Sequence, residues 1–192
     1  VVTPWGVGDW DVAIQGEKIV AVAAPGTLTG DIGRVIDASG KVVIPGGIEP
    51  HAHIAAPIMG FPGMETAPPE QVTRAALFGG TTTLVDFAIQ RPGNDLFQAL
   101  EERHGRWKGQ AYADYSYHIM LLPDISTATV AQIKTGIAEG FPSFKIFTTN
   151  IRPLNRTEPR MVGMGQLSAV MEQVAAHNGI MAIHSEDDDI VQ

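Results

Sequence analysis

The chain has 192 residues, 44% hydrophobic and 18% charged, the composition of a globular protein with a substantial core. Its 13 basic and 21 acidic residues leave a net charge of −8, with nothing resembling a basic patch, so nucleic acid is excluded as a partner. The lack of cysteine rules out disulfides and thiolate metal sites and fits a cytoplasmic location, and no apolar run approaches the ~20 residues that span a bilayer.

Taken in chain order, residues 1–6 lack the charged and apolar regions of a signal peptide and read as a chain entered partway through a first strand. Residues 9–44 read as all-β. Asp11–Gln15 and Lys18–Val22 flank Gly16-Glu17, a short hairpin signal, and two further apolar runs follow at Val35-Ile36 and Val42–Ile44. This stretch is too small to hold a core alone, so residues 1–45 are expected to be part of a small β-sheet domain.

From Gly46 the pattern changes to strand–helix alternation over residues 46–192. Strands are expected near 47–53, 82–87, 113–119, 142–147 and 180–184, and helices near 68–79, 94–107, 126–139 and 165–178. In the last helix Leu167, Val170, Met171 and Val174 fall on one stripe. Alternation of this kind implies an α/β fold with parallel strands buried on both faces. Five strands are present where a closed (β/α)8 TIM barrel needs eight and typically ~250 residues, so the expected fold is the first part of such a barrel, with an open five-stranded sheet as the alternative.

The chemistry concentrates at the ends of these strands. His51 and His53 form a His-x-His pair, and side chains at i and i+2 of a strand share a face, so two imidazoles can converge on one metal ion. Such ligands suit zinc, nickel, iron or manganese. His184 ends another apolar run, and Lys145 lies between Phe144 and Ile146, where an apolar setting favours the neutral amine. A buried neutral amine can add to carbon dioxide to give an anionic carbamate able to bridge two cations. Two bridged metals would generate hydroxide near neutral pH and polarise a carbonyl. Asp86, near a strand end, is either a supporting group or a helix N-cap and is read as structural.

These residues resemble the amidohydrolase superfamily, and within it the dihydropyrimidinase/hydantoinase branch. The resemblance is carried by residues 36–53, ending Pro50-His51-Ala52-His53, by Gly79-Gly80-Thr81-Thr82-Thr83-Leu84-Val85-Asp86-Phe87, by Ser143-Phe144-Lys145-Ile146-Phe147, and by His184-Ser185-Glu186-Asp187. The Phe-Lys-Ile-Phe run and the Pro57-Ile58-Met59-Gly60 loop point to the branch. The resemblance implies a (β/α)8 barrel with a small β-sandwich, and a binuclear centre, usually zinc. In it His51 and His53 hold the more buried ion, carbamylated Lys145 bridges, and His184 binds the second ion. The family's remaining histidine and its aspartate, ligand and proton shuttle, are expected beyond residue 192, so residues 1–192 alone are expected to be inactive and poorly soluble.

The implied function is metal-dependent hydrolysis of cyclic amide C–N bonds, with hydroxide attacking a carbonyl of a small-molecule substrate, by a protein expected to be a homo-oligomer. Two features depart from the pattern. Glu49 stands where the family commonly has aspartate, and no tyrosine follows Lys145 to stabilise an oxyanion, leaving Asn150 as the candidate donor. Ala55 replaces the arginine expected of a dihydroorotase. The alternatives are therefore an amidohydrolase with another amide or ureide substrate, and a non-catalytic scaffold of the same fold. The apolar loop from Ala55 to Glu65 is expected to border the substrate pocket, with Met59 and Phe61 governing substrate preference more than metal content.

Overall fold

The computed structural model describes residues 1–58, 61–150 and 160–191, in two compact units, Val1–Gly46 and Gly47–Gln192. The first unit holds two antiparallel ribbons. Val2–Thr3 (β1) pairs with Gly6–Val7 (β2), and Asp11–Gln15 (β3) pairs with Lys18–Ala23 (β4) across the turn at Gly16, whose φ of +61° suits glycine. The hairpin is where the sequence placed it. The β-structure expected at Val35-Ile36 and Val42–Ile44 is not present: no strand is found among residues 24–46. These apolar runs are mostly exposed, and the backbone link found there is Val2 N–H donating to the Val43 carbonyl. A strand exists only where a neighbour takes up its backbone groups, and apolar content alone does not supply one.

The second unit is a five-stranded parallel sheet in the order Gly47–Glu49 (β5), Thr81–Gln90 (β6), Asp114–Leu121 (β7), Ser143–Phe147 (β8) and Ile180–His184 (β9). Helices Pro69–Phe78 (α1), Leu96–Trp107 (α2), Thr127–Ala138 (α3) and Met164–Ala176 (α4) connect successive strands, and Asp188–Val191 (α5) follows β9. This architecture is that of a partial (β/α)8 barrel. Among the described residues, no helix is long and apolar enough to cross a membrane.

Local chemistry accounts for the helix ends. Pro69 opens α1, where its missing N–H costs nothing, and Gly79-Gly80 closes it, with Gly80 at φ +83°. Asp95 and Gln98 cap α2 reciprocally, each side chain accepting from the other's backbone N–H at 2.7 and 2.9 Å. Asp95→Ala in the whole protein is therefore expected to lower stability by about 1 kcal/mol, read as a shift in the denaturant midpoint. Ser126 caps α3 through the amide of Thr129. In α4, Leu167, Val170 and Val174 are buried, whereas Met171 is exposed; the stripe is narrower than its sequence spacing indicated.

Strand periodicity sorts the core into two layers. One face presents Leu84, Ala88, Tyr117, Ile119, Leu121, Phe144 and Ile146 to Leu96, Leu100, Trp107, Ile133, Val170 and Val174 of the helices. The alternate residues Phe87, Met120 and Phe147 form a separate cluster with Leu122, against which Ile89 packs. Lys145 belongs to this second face, in register with Met120 on one side and Ala182 on the other. Between α4 and β9 the chain passes so close to β8 that a Cβ on Gly179 would lie 2.8 Å from the Pro142 carbonyl oxygen, and Ile180 N–H donates to that same oxygen. Glycine is what seats β9 beside β8.

Candidate metal centre

Parallel strands bring their C-terminal ends to one edge, and three of the chain's six histidines, His51, His53 and His184, lie at or just past such ends. The strand expected over 47–53 ends at Glu49, because Pro50 has no N–H to continue the ladder. His51 and His53 therefore lie just past the strand. They remain neighbours nonetheless, with ring centroids 5.3 Å apart. Their backbone is secured at nearly every step. His51 N–H donates to Glu49 Oε1 at 2.9 Å, Ala52 N–H to the Val85 carbonyl, and the Thr66 hydroxyl to the His53 carbonyl at 2.7 Å. Glu49, where the resemblance implies aspartate, closes this turn.

Phe87, in the inner cluster, forms the floor. His53 stacks on it at 4.5 Å, and His51 meets it edge-on at 4.8 Å. Phe147 plays the same part on the other side, with His184 stacked at 4.9 Å and the Lys145 Nζ 4.7 Å from its ring centre. Thr148 ties the two loops together, its hydroxyl donating to the carbonyls of His184 and Glu186 at 3.1 and 3.0 Å.

Burial and neighbouring charges shift three of these groups. Burial, then the charges of Lys145 and His118, hold His51 below the usual imidazole range, with Glu49 opposing and His184 adding a smaller depression. His53 is lowered by burial and by His51, against the opposing charge of Asp86. Burial likewise pushes the Lys145 ammonium down, with Glu186 opposing. Both imidazoles are thus disposed toward the neutral form that binds metal. Lys145 is only 5% exposed and, among the described residues, makes no hydrogen bond or ion pair. A buried ammonium without an acid partner is costly, and the neutral amine relieves that cost.

Among the described residues, no three His, Asp or Glu side chains are grouped closely enough to hold a metal by themselves. The His51–His53 pair stands apart from His184, whose Nε2 is 2.8 Å from Glu186 Oε1. Lys145 interacts electrostatically with His51 and with Glu186. The candidate donors are two neutral-leaning imidazoles, a third imidazole and an amine lying against the Phe147 ring. They suit a divalent cation once the amine is converted to an anion.

The remaining candidates separate. Asn150 Oδ1 accepts the backbone amides of Arg160 and Met161 at 2.9 and 3.0 Å, and its own backbone N–H donates to Asp188 Oδ1, so its side-chain oxygen is engaged with backbone. Phe61 is 55% exposed in the loop after His53, whose ends are bridged at Pro57 and Glu65. Met59 lies outside the described residues.

His118 was not singled out by the sequence. It lies between the sides of the site: Nε2 donates to the Pro50 carbonyl at 2.6 Å, and Nδ1 is bonded to the Ser143 hydroxyl. Both nitrogens are occupied, so it supports the His51 segment rather than joining the donors. The available signal was a histidine sharing the inward period of β7 with Met120.

The amidohydrolase family profile matches residues 34–118. The D-hydantoinase of Streptomyces coelicolor is 36% identical over 180 residues, covering 92% of this chain and 37% of that protein. The chain belongs to the amidohydrolase family, in its hydantoinase and dihydropyrimidinase branch. The dihydropyrimidinase of Rattus norvegicus is 33% identical over 163 residues, 82% of this chain and 29% of that protein. The crystal structure of D-hydantoinase from Bacillus sp. AR9 superposes with a TM-score of 0.85 at 30% identity, over 98% of this chain and 39% of that one. The chain thus spans less than two fifths of the length of these relatives.

Proposed function

We propose that this chain carries metal-binding elements of a hydrolase that opens cyclic amides such as hydantoins or dihydropyrimidines. The observation that supports this reading is that His51 and His53 lie just past β5, Lys145 within β8 and His184 at the end of β9 of one parallel sheet, in a chain similar to proteins named D-hydantoinase and dihydropyrimidinase. His51 and His53 would hold one divalent ion, zinc in the first instance, and His184 a second, with Lys145 between them. When bound, such ions supply Lewis acidity toward a carbonyl and a water made acidic near neutral pH.

The protein's own part is preparation. The neutral Lys145 amine attacks carbon dioxide, forming an N–C bond and releasing a proton, and the product is an anionic carbamate with two oxygens. Phe87 and Phe147 wall the site and keep the imidazoles oriented by ring contact. The exposed loop carrying Phe61 leaves directly from the His53 segment and is assigned to the substrate side, together with Met59. The ribbons of the first unit are assigned to the family's small β-sandwich.

One observation favours a second reading, an amidohydrolase with a different amide or ureide substrate. No tyrosine follows Lys145 in Phe147-Thr148-Thr149-Asn150. A scaffold without catalysis is disfavoured because each ligand-type residue the chain could carry is retained.

The test is to load the whole protein containing this chain with zinc and assay hydantoin and dihydrouracil opening. Turnover that is lost on chelation and restored by zinc with bicarbonate is the expected result. Full metal occupancy without turnover of either ring refutes the substrate assignment, and no metal uptake refutes the site.

A further inference from the structure

On the helix side of β6, directly behind Phe87, sits a charged pair that the site as described does not use. Asp86 is 1% exposed, and Arg103 of α2 is 11% exposed in its side chain. Asp86 Oδ2 accepts from Arg103 Nε at 2.8 Å, from Arg103 Nη2, and from the Trp107 indole at 2.8 Å. Its Oδ1 accepts the Phe87 amide at 2.8 Å and lies 3.5 Å from the Ile54 amide. The N-cap alternative for Asp86 does not hold, since β6 runs on to Gln90 and α2 is capped by Asp95.

The rest of the guanidinium is directed at the chain leaving His53. Arg103 Nη2 donates to the Ile54 carbonyl, and Nη1 approaches the Ala55 carbonyl at 3.5 Å. Ala55 has φ +44°, a left-handed conformation that an alanine holds only when its surroundings impose it. The sharp turn two residues after His53 is held on one side by Thr66 and Ala67, which bond the Ala55 and Ala56 amides, and on the helix side by the Arg103 side chain, which is itself fixed by Asp86. For stability alone an apolar pair of similar volume would serve as well or better. What an apolar pair cannot do is grip two consecutive carbonyls in a strained turn.

We propose that Asp86 and Arg103 are positioning residues that set the His51–His53 segment for a divalent cation. The inference rests on the metal-site reading above. Groups behind a ligand that fix its geometry typically change metal affinity by 10–100-fold.

The experiment measures zinc affinity of the whole protein by competition with a chromophoric chelator, alongside the melting temperature of the metal-free form. Arg103→Lys keeps the charge and loses the fork, and is expected to weaken zinc binding at least tenfold. Ile133→Ala, a core truncation in α3 remote from the site, is expected to lower the melting temperature and leave affinity within twofold. Should Arg103→Lys fail to fold, the paired Asp86→Asn/Arg103→Gln removes both charges together and carries the same expected loss. Wild-type affinity in either folded variant overturns the inference while leaving the metal site standing. An equal affinity loss in Ile133→Ala also overturns it, since general loosening would then suffice. A wild-type protein that binds no zinc removes both the site reading and the inference.

Discussion

Replacing His51 and His53 together by alanine in the whole protein is expected to abolish stoichiometric zinc binding and, with it, ring opening. In the proposed site each histidine would supply one neutral nitrogen, and the pair would be half of the four-residue donor set. Four-ligand zinc sites bind with apparent free energies of about 10–16 kcal/mol, so removing two donors costs roughly 5 kcal/mol or more, three to four orders of magnitude in affinity. The fold should be indifferent. Both residues keep substantial solvent exposure beside Phe87, and their backbone is held by Glu49, Thr66 and the Val85 carbonyl, none of which depends on an imidazole. Surface truncations of this kind change stability by about 0.5 kcal/mol. Metal analysis together with the melting curve of the metal-free protein checks the result. Stoichiometric zinc in a folded double variant would place the site elsewhere.

Much of this was legible in the sequence because the strands of an α/β unit announce themselves twice, as apolar runs and by their spacing from helices. The strands expected near 142–147 and 180–184 correspond to Ser143–Phe147 and Ile180–His184, since both runs are short, apolar and preceded by proline or glycine. The strand expected over 47–53 is shorter than its pattern, because the alternation of His51 and His53 continues past Pro50 while the ladder is interrupted there and returns only in the Ala52 N–H bond to the Val85 carbonyl. Periodicity reports side-chain direction, whereas a strand also needs partners. The same distinction explains Val35-Ile36 and Val42–Ile44, whose β-propensity found no neighbouring strand among residues 24–46.

Arg103 illustrates what pattern reading passes over. It occupies the buried stripe of α2 with Leu96, Ala99, Leu100 and Trp107, a position where a charge is out of place unless it has a partner. The only carboxylate in the opposite strand's outward register is Asp86, seventeen residues earlier. An arginine on an apolar stripe and an aspartate in an apolar strand predict one another, but neither residue alone says so. His118 was hidden in the same way. Its partners, Pro50 and Ser143, are 68 and 25 residues distant, and one of them is a backbone carbonyl that no sequence motif encodes.

Lys145→Met in the whole protein should separate the lysine's chemical role from its structural one. Methionine keeps the length and volume of the stem and removes the amine. The ammonium lies against the Phe147 ring in a 5% exposed position without a hydrogen-bonded acid, so its loss leaves no orphaned partner. Stability is expected to be unchanged or slightly raised, as when a poorly compensated buried charge is replaced by an apolar group. Hydrolysis is expected to fall by roughly three orders of magnitude or more, the several kcal/mol of transition-state stabilisation that a metal pair contributes. Carbon-13 NMR after incubation with labelled bicarbonate supplies the chemical readout: a carbamate resonance in the wild-type protein and none in the variant. Lys145→Arg is expected to lose activity equally, because a guanidinium keeps the positive charge but does not form the carbamate. If Lys145→Met retained metal and turnover near wild-type levels, the lysine would be a packing residue, and the separation between the His51–His53 pair and His184 would have to be spanned by another group.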